Sequence, residues 1–204
     1  FTKAVALLSG SSVTINDGTF TYGIQIGYAP MTGVGGLATP FDTIVINGGE
    51  YNGWNHFCAD SITINDGEFD GKQTLSASDT VTIANGTFIS PYLYTEAVEI
   101  EVPDTNNLSV IIKGGSFDND KADGVGLSIT GQETPGSVAI SNTSTTVFPT
   151  FGLTSGGGIK FGVAGDYVDI TGGLYSTIEV PSTTSVGAMI FNPNTSLVTG
   201  VAVV

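Results

Sequence analysis

The stretch Ile62-Thr63-Ile64-Asn65-Asp66-Gly67-Glu68-Phe69 contains a short alternating strand, a tight corner and an aromatic residue, in that order. Side chains alternate along a strand, so Ile62 and Ile64 share one face and Thr63 takes the other. Asn-Asp-Gly suits the corner, because Asn and Asp side chains bond nearby backbone and glycine accepts a positive φ. The same phrase recurs on both sides of this copy. Upstream stand Val13-Thr14-Ile15-Asn16-Asp17-Gly18-Thr19-Phe20 and Ile44-Val45-Ile46-Asn47-Gly48-Gly49-Glu50-Tyr51. Downstream stand Val81-Thr82-Ile83-Ala84-Asn85-Gly86-Thr87-Phe88, Val110-Ile111-Ile112-Lys113-Gly114-Gly115-Ser116-Phe117 and Val168-Asp169-Ile170-Thr171-Gly172-Gly173-Leu174-Tyr175. A degenerate copy, Val138-Ala139-Ile140, has Thr143 in place of the glycine.

One supersecondary unit repeated at a rough period cannot bury its apolar face alone and does so by stacking on its neighbours. The anchor positions are spaced by 18 to 31 residues. The shorter spacing suffices for one three-sided turn of a β-solenoid, and the longer ones add loops at a corner. The expected fold is therefore all-β: a single parallel β-helix or β-solenoid domain over residues 1–204, of seven to eight coils with loop insertions. At about 4.8 Å per coil the rod would be on the order of 35–40 Å long. The pairs Val13/Ile15, Ile44/Ile46, Ile62/Ile64, Val81/Ile83, Val110/Ile112, Val138/Ile140 and Val168/Ile170 should form inward ladders, with the following aromatics starting another inward row. A β-sandwich is the rival, but it does not call for the same strand-turn-aromatic phrase each time. Thr2 to Leu8 and Pro91 to Ile100 are the best helical segments, and the second reads equally as strand.

Charge narrows the partners. The net charge is −14, with five lysines and no arginine. A chain this acidic is a poor match for nucleic acid or for an anionic membrane face. No run reaches the ~18–20 apolar residues of a membrane span. Cys58 is the sole cysteine, which excludes an internal disulfide framework. The chain begins at Phe1, consistent with a processed product or a fragment, and an extracellular, cell-surface or virion-surface location is expected. Asn85, Asn107, Asn142 and Asn194 open Asn-x-Ser/Thr sequons and are glycosylation candidates.

Few residues suggest chemistry. His56, the only histidine, and Cys58 lie two apart on an expected strand and share a face, a pair able to hold a soft metal or simply to pack. Asp118, Asp120 and Asp123, followed by Gly124, form a calcium candidate that lacks the terminal bidentate Glu of an EF-hand; a solvated acidic corner is the plain alternative. No other cofactor is implied. Trp54, Tyr92 and Tyr94 are carbohydrate-binding candidates on loops, with core or corner packing as the alternative. The outward file Thr14, Val45, Thr63, Thr82, Ile111, Ala139 and Asp169 is too irregular for an ice-ordering threonine ladder.

At fold level the repeat resembles the right-handed parallel β-helices of the pectate lyase-like superfamily and extracellular solenoid surface proteins. That resemblance covers most of the chain. It implies polysaccharide cleavage, but such lyases typically use an arginine or lysine base near calcium. This chain has no arginine and no polygalacturonase aspartate motif, so enzyme activity does not carry over.

The two ends read as assembly edges, at 1–8 and 196–204. Phe1, Val5 and Leu7 lie in one apolar segment, and Leu197, Val198, Val201 and Val203 in another without charge. Uncapped solenoid edges pair with further strands. The leading expectation is a non-catalytic structural subunit of an extracellular filament, sheath or S-layer-like coat, built by β-edge pairing with copies of itself. The alternative is a carbohydrate-binding adhesin or phage tail-spike module facing cell-surface glycans.

Overall fold

The computed structural model describes residues 3, 5–8, 10–27, 41–102, 108–131, 136–144, 148–153, 157–161, 168–179 and 189–191. Every regular element among them is a strand, and every strand pairing is parallel. The strands form a 14-stranded and a 7-stranded sheet. The larger sheet resolves into two ladders joined by two long strands, Asn55–Ile64 and Gln73–Ile83, each of which contributes one half to each ladder.

The first ladder stacks Val5–Leu7, Ile24–Ile26, the leading halves of the two long strands, Glu96–Val102, Val125–Gly131, Gly157–Phe161 and Ile178–Glu179. The second stacks Ser12–Ile15, Phe41–Ile46, the trailing halves, Ser109–Ile112, Ser137–Ile140, Val168–Ile170 and Met189–Phe191. The third, the smaller sheet, runs Thr19–Phe20, Glu50–Asn52, Glu68–Asp70, Thr87–Ser90, Ser116–Asn119, Thr150–Phe151 and Leu174–Tyr175. The chain visits first, second and third ladder in fixed rotation, and each strand pairs with the one laid down on the previous visit. Parallel neighbours need a long crossover, and here the other two ladders supply it. The arrangement is compatible with a β-helix-like fold and excludes the antiparallel sandwich.

Register follows the apolar pairs. Val13/Ile15, Ile44/Ile46, Ile62/Ile64, Val81/Ile83, Val110/Ile112, Val138/Ile140 and Val168/Ile170 all pair position for position. Met189 and Phe191 extend the same register, a step the sequence pattern did not reveal. Ile44 to Ile140 in this series are fully buried, whereas Val13 and Ile15 are half-buried. The two expected helical segments contain strand instead: Val5–Leu7 in one, and a turn followed by Glu96–Val102 in the other. Glu96-Ala97-Val98-Glu99-Ile100-Glu101-Val102 carries β-branched residues and buries Val98, Ile100 and Val102, so packing decides against helix.

The third ladder holds a column of rings. Phe20, Tyr51, Phe69, Phe88, Phe117, Phe151 and Tyr175 stack with centroids 4.6 to 5.0 Å apart and planes within 11°. That separation equals the spacing of neighbouring strands, so the backbone dictates the stacking geometry. Tyr51 and Tyr175 donate their hydroxyls to the Gly48 and Gly172 carbonyls at 2.9 and 2.7 Å, which satisfies both buried oxygens. The corner before the column needs glycine: Gly86 has φ +135°, and a Cβ there would lie 2.9 Å from the Phe88 ring. At the same corner Asn47 donates to Asn16 at 2.8 Å and Asn65 donates to Asn47 at 2.7 Å, an amide ladder beneath the repeat's Ile-Asn step.

Stacking on both faces sets the cost of losing a ring. Phe88→Ala, stacked on both sides and fully buried, should lose about 3–5 kcal/mol in urea unfolding.

Candidate ligand-binding groove

The outward side of the first ladder collects the polar residues of this fold. Alternation that buries Phe57, Leu75 and Ile100 must expose their neighbours, so Gln25, His56, Thr74 and Glu99 share one file. Cys58, Ser76 and Glu101 form the next. Two corners that open on glycine deliver the remaining members. Gly53-Trp54-Asn55 and Gly71-Lys72-Gln73 are equivalent, since Asn55 and Gln73 pair in register. Asn55 and Gln73 are buried and tie down their corners: Asn55 Oδ1 accepts the Ile24 amide at 2.8 Å, and Gln73 donates to the Gly71 carbonyl at 3.0 Å. Trp54 and Lys72 are thereby held at the groove's edge.

The groove encloses about 460 Å³, within the range of small-ligand sites. Tyr22 and Trp54 form its aromatic side and remain 66% and 67% exposed. Its polar floor comprises His56, Thr74, Glu99 and Glu101, with Lys72 beside them. Lys72 Nζ lies 2.6 Å from Glu99 and 3.1 Å from Glu96. Burial opposes the charged form of Lys72, but the Glu99 hydrogen bond and the Glu99 and Glu96 charges outweigh it and raise the ammonium pKa. Glu99 also accepts the Thr130 hydroxyl at 3.2 Å. Ser76 donates to Glu101, which leaves the Ser76 oxygen to accept from His56 Nε2 at 3.4 Å. His56 is pushed below its ordinary pKa by burial, with Lys72 adding to the effect and Glu101 and Glu99 opposing it. Its imidazole is therefore neutral near pH 7.

The sequence-derived candidates separate in this frame. Trp54 and Tyr92 meet edge to face at 6.1 Å. Tyr94 lies in the same turn, exposed and at φ 56°, without a ring contact among the described residues. His56 and Cys58 do share an outward face. Burial, reinforced by the Glu101 and Asp60 charges, raises the Cys58 thiol pKa and favours its neutral form. Asp118 is buried, Asp123 is exposed in a turn, and Asp120 joins Glu50, Glu68 and Asp70 around a separate acidic hollow of about 490 Å³. Among the described residues no three His, Cys, Asp or Glu side chains are grouped to hold a metal ion.

Asn119, between those aspartates, has a role that the acidic composition concealed. Fully buried, it donates to the Tyr92 and Thr95 carbonyls at 3.3 and 3.0 Å and so clamps the turn that carries Tyr92. Gly124 gives it room, because a Cβ there would overlap the Asn119 amide. Asn85 is exposed and donates to Asp66 at 3.2 Å, while Asn142 is half-buried and accepts the Gly173 amide at 2.8 Å. Phe1, Asn107, Asn194, Leu197, Val198, Val201 and Val203 lie outside the described residues. Comparison of the chain with family models, curated proteins and solved structures returns no match.

As the only histidine, His56 gives an unambiguous titration. Its folded pKa lies below the unfolded value of about 6.5, so its contribution to stability is complete above that pH and is lost as pH falls through the folded pKa. Its NMR titration should have a midpoint below that of a free histidine. His56→Gln should flatten the dependence of unfolding free energy on pH just below about 6.5.

Proposed function

We propose that the three ladders close around their common core as a parallel β-solenoid of seven to eight coils, and that this rod is a non-catalytic, extracellular glycan-binding module. The single buried cluster to which all three ladders contribute supports the closed winding. The binding reading rests on one observation: Trp54 and Tyr22, two-thirds exposed, stand over a floor of carboxylate, hydroxyl and imidazole groups. Aromatic rings take the apolar faces of sugar rings, and polar groups alongside fix the hydroxyls. Rigid stacked strands hold those groups without a lid or hinge, which suits adhesion. On a glycan array the chain should bind a restricted set of saccharides, and Trp54→Ala should reduce that binding about tenfold or more. Unchanged binding by the variant removes the groove from the reading.

A second reading, the self-assembling structural subunit, draws on the outer strand of the first ladder. Among the described residues Val5–Leu7 pairs on one side only, with Ile24–Ile26, and Leu7 and Leu8 are exposed. Such an edge accepts a further strand. Negative-stain microscopy of the purified chain should then show polymers that vanish on deletion of Leu197 to Val204. Discrete rods from the intact chain contradict it.

A further inference from the structure

The groove is unevenly neutralised, and the imbalance points to the charge of its ligand. Lys72 is occupied by Glu99 and Glu96. His56 is held neutral by its burial. Glu101 faces the same cavity, and its polar partner is the Ser76 hydroxyl; among the described residues no cation pairs with it. A carboxylate left with one hydroxyl beside exposed indole and phenol faces matches a ligand that brings its own positive charge. Carboxylates and aromatic faces both attract ammonium groups. The net charge of −14 acts in the same direction at long range, drawing cations toward the surface and repelling acidic polymers.

We infer that the groove between Trp54 and Glu101 takes an amino sugar with a free ammonium group, as in de-N-acetylated hexosamine polymers, with the sugar ring against Tyr22 and Trp54 and the ammonium on Glu101. This rests on the glycan-binding reading and adds a charge requirement to it. A cavity of about 460 Å³ accommodates a small ligand, which suits a short saccharide segment. N-acetylation removes the positive charge and adds bulk at the same atom, so acetylated and free forms of one oligosaccharide discriminate sharply. Uronic acid polymers are disfavoured, because they place carboxylate against carboxylate.

Calorimetric titration with tetra-glucosamine and with tetra-N-acetylglucosamine tests this, at low salt and a pH at which the amine is protonated. The free amine should bind about tenfold more tightly than its acetylated counterpart, as expected of a charge-assisted contact. Glu101→Gln retains an acceptor for Ser76 and should erase that preference while leaving the thermal midpoint in place. Thr74→Lys, which adds a resident cation between His56 and Glu99, should erase it independently. Equal binding of both oligosaccharides by the unaltered chain overturns the amine inference and leaves glycan binding standing. A preference that survives both substitutions removes Glu101 from it. Failure to bind these probes or any saccharide on the array overturns both readings together.

Discussion

Neighbouring parallel strands repeat at a spacing that a flat aromatic ring also fills, and this coincidence governs the structure. The Phe20-to-Tyr175 column is stacked at 4.6 to 5.0 Å, so each ring is sealed by the next only when successive strands align. A slip of one residue would turn Phe88 outward and carry Val81 and Ile83 with it. Fully burying a phenylalanine or isoleucine contributes roughly 1.5–3 kcal/mol, and a slipped strand forfeits several such terms at once. Backbone hydrogen bonds alone would tolerate many registers. The rings and the isoleucine pairs select one.

Fixed register is also what creates the groove. Gln25, His56, Thr74 and Glu99 come from four separate visits of the chain to one ladder, yet pairing places them in a single file. Lys72 reaches Glu99 and Glu96 because its corner sits one strand below theirs. Asn119, on the third ladder, then holds the turn bearing Tyr92 against Trp54. The polar floor of the groove is thus fixed by the same register as the core.

Much of this frame was legible in the sequence, because alternation and corner chemistry are local signals. The Ile62-to-Phe69 phrase gives strand, turn and inward ring within eight residues, and the seven apolar pairs fall in the order that their repetition implies. Phe151 escaped notice because the Thr143 copy lacks the glycine that fixes the distance to its ring. The groove escaped for a different reason. Glu99 and Glu101 alternate with apolar residues along one strand, and nothing nearby in sequence marks Lys72, Ser76 or His56 as their neighbours; register across long-range pairings makes them so. One cue was available: Gly53-Trp54-Asn55 and Gly71-Lys72-Gln73 share a form that announces equivalent corners. Asn119 offered none, since a buried amide and a calcium ligand look alike among aspartates.

Ring-to-ring contacts in solution test the stacking most directly. With specifically labelled phenylalanines, nuclear Overhauser effects should connect Phe69 to Phe88 and Phe88 to Phe117, and none should connect Phe69 to Phe117, which lies two strands away. Effects that skip Phe88, or a Phe88 ring in contact with water, would contradict in-register stacking and the groove built upon it.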